Sequence, residues 1–133
     1  MGPVMPGNVE RRLLGILEEP DLQHDGNALQ ARLVENMTTL LDRPANRAGV
    51  LSFVNQLLGS SAEDRLLAVT LIGDTNLSEF RQQLVAASTS DIGVRRLFGL
   101  DAVHNLNSGY GYRELLARVI SDLSPSTPPT NAA

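Results

Sequence analysis

The chain has no lysine, no cysteine and no tryptophan, and its only aromatic residues are three phenylalanines and two tyrosines. Without cysteine it can form neither a disulfide nor a thiolate metal site. Without lysine it lacks the amine that forms Schiff bases and the phosphate-binding lysine of Walker-type loops. These absences exclude the enzyme classes that depend on such groups.

All eleven basic residues are therefore arginine. One explanation is a GC-rich coding sequence, in which arginine codons displace lysine codons. The other is selection against amines that ubiquitin-like or acylating enzymes would modify, which would suit a bacterial protein delivered into a host cell. Nine asparagines fit an extreme GC bias poorly, so both explanations stay open.

The net charge and the length of the apolar runs limit the kinds of partner that the chain can bind. A formal net charge of -4 argues against a broad surface for nucleic acid or for an anionic membrane. Polar residues interrupt every apolar run within about eight positions, which is too short for a membrane span. We expect a soluble protein, cytoplasmic or delivered into a host cell, with no nucleic-acid partner, no membrane span and no cofactor.

The composition is dominated by twenty-two leucines, which recur at the three-and-four spacing of helices with one buried face. A chain of 133 residues suits one domain with a substantial core. The predicted fold is all-α, a compact helical bundle of six or seven short helices over residues 8–123. A flexible arm (1–7) precedes it, and a proline-rich tail (124–133) follows it. An α-solenoid is disfavoured because no residue pattern recurs at a fixed period.

Capping residues, prolines and glycines divide this domain into seven segments. The run Leu66–Ile72 also suits a buried strand, but no second strong strand is available, and the spacing of Ser60 and Glu63 is typical of a helix start. A loop is expected over Asn105–Gly111. The second predicted helix follows a polar connection over Asp21–Gly26 and includes Leu29–Leu41. Cap and stop residues included, the other predicted helices are Asn8–Glu19, Pro44–Gly59, Ser60–Gly73, 76–89, Asp91–Leu100 and Tyr112–Leu123.

The last two helices have distinct apolar faces. The sixth is expected to bury Ile92, Val94, Leu97 and Phe98. The seventh has the cleanest apolar stripe in the chain, which consists of Tyr112, Leu115, Leu116, Val119, Ile120 and Leu123.

Catalytic candidates are few. The two histidines have no partner at metal spacing, and His24 lies in a polar loop typical of the surface. His104 follows Asp101 by three positions, so the two can share a helical face as a general-base pair, although a solvent-facing pair is the more common arrangement. No serine lies in a nucleophile-elbow motif, and carboxylates such as Glu63 and Asp64 suit helix starts.

The segment Ser108–Arg113, with sequence Ser-Gly-Tyr-Gly-Tyr-Arg, contains both tyrosines. Its glycines can let backbone amides approach an anion beside Arg113, although a turn with one packed tyrosine is the simpler interpretation. Tyrosine on a loop is a frequent anchor in protein interfaces. If the last two helices pack together, they form one amphipathic partner-binding patch. Its predicted residues are Tyr110, Tyr112, Arg113, Arg95 and Arg96.

Three functions follow from these features. The leading hypothesis is a non-enzymatic helical protein-protein interaction module, such as the folded domain of a bacterial secreted effector or an adaptor. One alternative is a small hydrolase that uses Asp, His and Ser groups near residues 101–113. The other is a structural or oligomerisation domain, in which the apolar stripe of the last helix faces another copy of the chain.

Overall fold

A computed structural model describes residues 6–100 and 106–124, with side chains described for 7–100 and 111–124. Within these ranges there are seven α-helices and no β-strand, so the predicted all-α fold is confirmed. None of the described helices is both long enough and apolar enough to cross a bilayer. The helices are α1 (Pro6–Leu17), α2 (Gly26–Leu41), α3 (Arg47–Leu58), α4 (Ala62–Asp74), α5 (Arg81–Ala87), α6 (Asp91–Phe98) and α7 (Leu106–Asp122).

Most predicted boundaries lie within a few residues of these. Helix α1 begins and ends two residues earlier than expected, so Pro6 and Gly7 belong to the helix rather than to the predicted arm. The rest of that arm, residues 1–5, and the tail from 125 onward lie outside the described residues. Pro44 begins a single turn of 3-10 helix before α3, a position where its missing N–H costs no hydrogen bond.

Helix α4 is the centre of the bundle, since it contacts α2, α3, α6 and α7. The ambiguous run Leu66–Ile72 lies within it, so the helical prediction is confirmed. Helix α1 packs on α2 and α3, and α7 packs on α4, α5 and α6. The largest fully buried side chains are Phe53, Phe98, Leu13, Leu33, Met37, Leu71, Ile72, Leu77, Leu84 and Leu116.

The start of α4 is capped one residue later than predicted. The hydroxyl of Ser61 accepts a hydrogen bond from the N–H of Asp64 at 3.2 Å, which satisfies a backbone group that has no partner within the helix. The Ser60 hydroxyl instead donates to the Asp64 carboxylate at 2.7 Å. Two adjacent serines both fit the capping pattern, and only the structure distinguishes their roles.

Asn76 ends α4, so its prediction as the start of the next helix is wrong. Its φ of 52° is left-handed, and its N–H reaches the carbonyl of Gly73 while the N–H of Leu77 reaches that of Ile72. These two bonds form a Schellman motif, in which asparagine is the usual substitute for glycine. The Asn76 side chain also exchanges hydrogen bonds with the hydroxyl and the N–H of Ser124, at 3.2 and 3.1 Å, and so holds the end of α7.

The predicted loop Asn105–Gly111 is also wrong over residues 106–111, because α7 already begins at Leu106. In a helix with this start, the N–H groups from Tyr110 onward are bonded to carbonyls one turn earlier. Gly111 therefore offers no free amide to an anion. The glycine penalty in a helix, about 1 kcal/mol per residue, does not prevent the helix here.

Arg47 at the start of α3 forms a two-pronged ion pair with Glu79, which lies in the turn before α5. The hydrogen bonds from the guanidinium lower the pKa of the Glu79 carboxyl, and burial opposes this effect. The same hydrogen bonds raise the pKa of Arg47. Both side chains remain about 40% exposed, so solvent weakens the pair.

Glu79→Gln should lower the free energy of unfolding at neutral pH by about 0.2–1 kcal/mol, the usual value of an exposed ion pair. Because the folded state lowers the pKa of Glu79, this contribution is present above the unfolded value of about 4.3. This contribution is lost as the pH falls through the lower pKa that Glu79 has in the folded state. Urea denaturation at neutral and acidic pH measures the difference, and Glu35→Gln on the exposed side of α2 is the control. A difference that persists in acid would contradict the assignment.

Candidate partner-binding site

Helices α6 and α7 pack side by side, which is the condition on which the predicted patch depends. The rings of Phe98 and Tyr112 lie 4.6 Å apart between centroids, with their planes at 46°. Phe98 is fully buried and Tyr112 is half-buried. Tyr112 therefore uses much of its ring to join the two helices, and only its remaining surface is available to a partner.

Arg113 forms an ion pair with Asp91 of α6. Asp91 lies in the first turn of α6, where a carboxylate is stabilised by the N–H groups of the helix end. Both side chains are at least half exposed. The predicted residue Arg113 thus lies at the surface between the two helices, with a neutralising partner that the sequence analysis did not identify.

A cleft of about 440 Å³ opens where the end of α5 meets α6 and α7. Its floor contains Val94 and Leu116, which also belong to the buried core. The polar groups in its lining are Ser88 and Arg113. The complete lining is Ser88, Val94, Arg113, Leu116, Ala117 and Ile120.

Comparison with known protein families, with curated proteins and with solved structures gave no match. The functional assignment therefore depends on the surface chemistry of the described residues.

Ile92 is 61% exposed. Among the described residues it is the one large apolar side chain that is exposed to solvent. Its predicted burial is wrong. Val94, Leu97 and Phe98 form the buried face of α6, and at 100° per residue position 92 lies on the opposite side of the helix. Gly93 fixes this rotation, because a Cβ there would lie 2.3 Å from the carbonyl oxygen of Ala87.

Arg95 and Arg96 lie in the last turn of α6, half-buried and exposed respectively. Cations in this position stabilise a helix through its dipole, which gives both a structural role. Within residues 7–100 and 111–124 neither guanidinium forms an ion pair. A third arginine, Arg65, donates from Nη1 to the carbonyl of Arg96 at 2.8 Å and closes the helix end.

The structure thus brings Tyr112 and Arg113 against α6, which also carries Arg95 and Arg96. The side chain of Tyr110 lies outside the described ones, as do Asp101 and His104 of the hydrolase alternative. Their predicted roles remain predictions.

His24 lines a second, separate cleft of about 420 Å³ with the acidic first turn of α4, which contains Glu63 and Asp64. The His24 side chain is exposed, as the sequence predicted. In the part of the chain that the structure describes, no three His, Asp or Glu residues are arranged to hold a metal ion. The Asp64 carboxylate already accepts a hydrogen bond from Ser60, and the N–H of Asp64 is bonded to the capping residue Ser61.

Proposed function

We propose that this chain is a protein-protein interaction module that binds its partner at the cleft between α5, α6 and α7 and on the exposed surface of α6. The observation that carries the proposal is the cleft itself. The cleft opens to solvent, its apolar lining consists of the half-buried Ile120 above the buried Val94 and Leu116, and the predicted residue Arg113 lies at its rim.

The composition of this surface supports the proposal. Protein interfaces usually have an apolar centre with a polar rim, and arginine is among the residue types enriched in them, which fits an apolar cleft with Arg113 at its edge. If an apolar side chain of a partner enters the cleft, that side chain is removed from water, which is favourable. No contact within this chain has to be broken first. Arg113 and Asp91 would then remain at the polar rim.

The surface of α7 offers less support for oligomerisation through its apolar stripe. Leu116, Val119 and Leu123 of that stripe are buried in the core of the same chain. Leu115 and Ile120 are half-buried and pack against the same core. An assembly of copies could therefore use only the half-buried part of this stripe.

A photo-crosslinking amino acid placed at Ala117, an exposed residue of the cleft, tests the proposal. In the cell of origin we expect a discrete covalent adduct with one protein, identified by mass spectrometry. The matched control position is Ala31, an exposed alanine in the middle of α2. It should give no adduct with that protein.

Filling the cleft is the second arm of the same test. Ala117→Trp should abolish capture of the crosslinked partner, because the indole would occupy the space that the partner needs, while Ala31→Trp should leave capture unchanged. Circular dichroism of both variants establishes that they are folded. Equal adducts from positions 117 and 31, or full capture by a folded Ala117→Trp protein, would refute the proposal.

A further inference from the structure

We infer that the partner contributes an acidic segment with an apolar anchor residue, and that this segment binds the outer face of α6, defined by Ile92, Arg95 and Arg96. This inference rests on the proposed function and specifies the chemistry of the partner. Three observations lead to it: an exposed isoleucine, one guanidinium group on each side of it, and the absence of an ion pair to either guanidinium among the described residues.

The spacing places the three side chains together. Residues three and four positions apart are neighbours on a helix surface, so Arg95 and Arg96 both lie one turn from Ile92. The helical rotation puts one of them on each side of the isoleucine. The outer face of α6 therefore has an apolar centre with positive charge on both flanks.

The charge of this face contrasts with that of the chain, which has a net charge of -4. Arg113 nearby is neutralised by Asp91, whereas within the described residues Arg95 and Arg96 have no such partner. Guanidinium groups bind carboxylates through two parallel hydrogen bonds, which are stronger than bonds between neutral groups. Carboxylates spaced around an apolar side chain are thus the complement of this face.

A nucleic acid fits the same face less well. Binding to a phosphate backbone draws its affinity from many cations along one surface, and this face has only two guanidinium groups. A phosphate backbone would also leave the isoleucine between them without an apolar contact. The negative net charge of the chain would also repel a polyanion. We therefore assign a protein segment, and duplex DNA serves as a competing probe.

The experiment measures fluorescence anisotropy with the full chain and a short labelled peptide, in which leucines at helical spacing alternate with glutamates. Two companion peptides replace the glutamates with lysines or the leucines with serines. We expect the first peptide to bind at least roughly tenfold more tightly than either companion. Its affinity should fall as salt is raised, because the flanking charges are exposed.

Variants locate the binding surface. Arg95→Glu with Arg96→Glu should weaken binding roughly tenfold or more, and Ile92→Ser should also weaken it. Since two acids at the end of α6 oppose its dipole, the pair Arg95→Gln and Arg96→Gln provides a second variant that keeps the helix folded. The matched control is Arg11→Glu with Arg12→Glu, an adjacent pair of arginines on α1 that are both exposed.

Several results would overturn the inference: equal losses in the α1 control, equal binding of the serine peptide, or tighter binding of duplex DNA. Failure here is distinguishable from failure of the proposed function. If crosslinking at Ala117 captures a partner but the acidic peptide does not bind, the interaction module stands and the acidic chemistry is wrong. If no position of the cleft gives an adduct, the proposed function itself is wrong.

Discussion

Replacing Phe98 with alanine should lower the free energy of unfolding by about 3–5 kcal/mol, a large part of the stability of an ordinary domain. The Phe98 ring is fully buried and packs against Tyr112, with the ring centroids 4.6 Å apart, so its removal leaves a cavity where α6 meets α7. The ring pair adds about 0.5–1.5 kcal/mol beyond the area that it buries. Urea denaturation followed by circular dichroism measures the loss.

Two further variants separate packing from the ring contact. Phe98→Leu keeps most of the buried volume and should cost clearly less than the alanine variant. Tyr112→Phe keeps the ring and should be close to neutral, since the tyrosine is only half-buried. If Phe98→Ala is itself nearly neutral, α6 does not dock on α7 through this residue. The candidate site, which needs the two helices to pack together, would then not form as described.

The helices were predictable because their signals are local. Leucine spacing, Pro44 and the hydroxyl caps act within a turn of the residues that they organise, so they can be read from a short window. The errors arise where one local signal serves two structures. Asn76 suits both a helix start and a left-handed helix end, and the contact that secures it, with Ser124, is distant in sequence.

Helix rotation was less predictable, and the candidate site depends on it. Hydrophobicity alone places Ile92 inside, although Val94, Leu97 and Phe98 already complete the buried face of α6. In the structure Gly93 comes so close to Ala87 that a side chain would not fit there, which suits the rotation that α6 adopts. The 100° helical period, counted from these three buried residues, places Ile92 outside.

The candidate site could be predicted only in part. Proximity in sequence grouped Arg95 and Arg96, and the assumption that neighbouring helices pack brought Arg113 to them. The cleft required three helices to meet, with Ser88 from one and Ala117 from another. Such a surface depends on tertiary distances, which a single sequence does not contain.

Leu116→Ala should lower the free energy of unfolding by about 2–5 kcal/mol. Leu116 is 1% exposed and lies between the core and the floor of the cleft, so its loss removes buried contacts and deepens the cleft at once. The close fit of α7 on α4 limits relaxation, because Val119 already lies against Gly73, where an added Cβ would come within 3.1 Å of it. The cavity should therefore remain largely open.

Denaturation and hydrogen exchange together test this expectation. Amide protons of α7 should exchange faster in Leu116→Ala than in the parent chain, because local opening of the helix becomes less costly. Arg118→Ala, on the exposed side of the same helix, should change stability by less than about 0.5 kcal/mol. Equal, small effects of the two variants would mean that α7 does not dock on the bundle, and a cleft built on α7 could then not be the binding site.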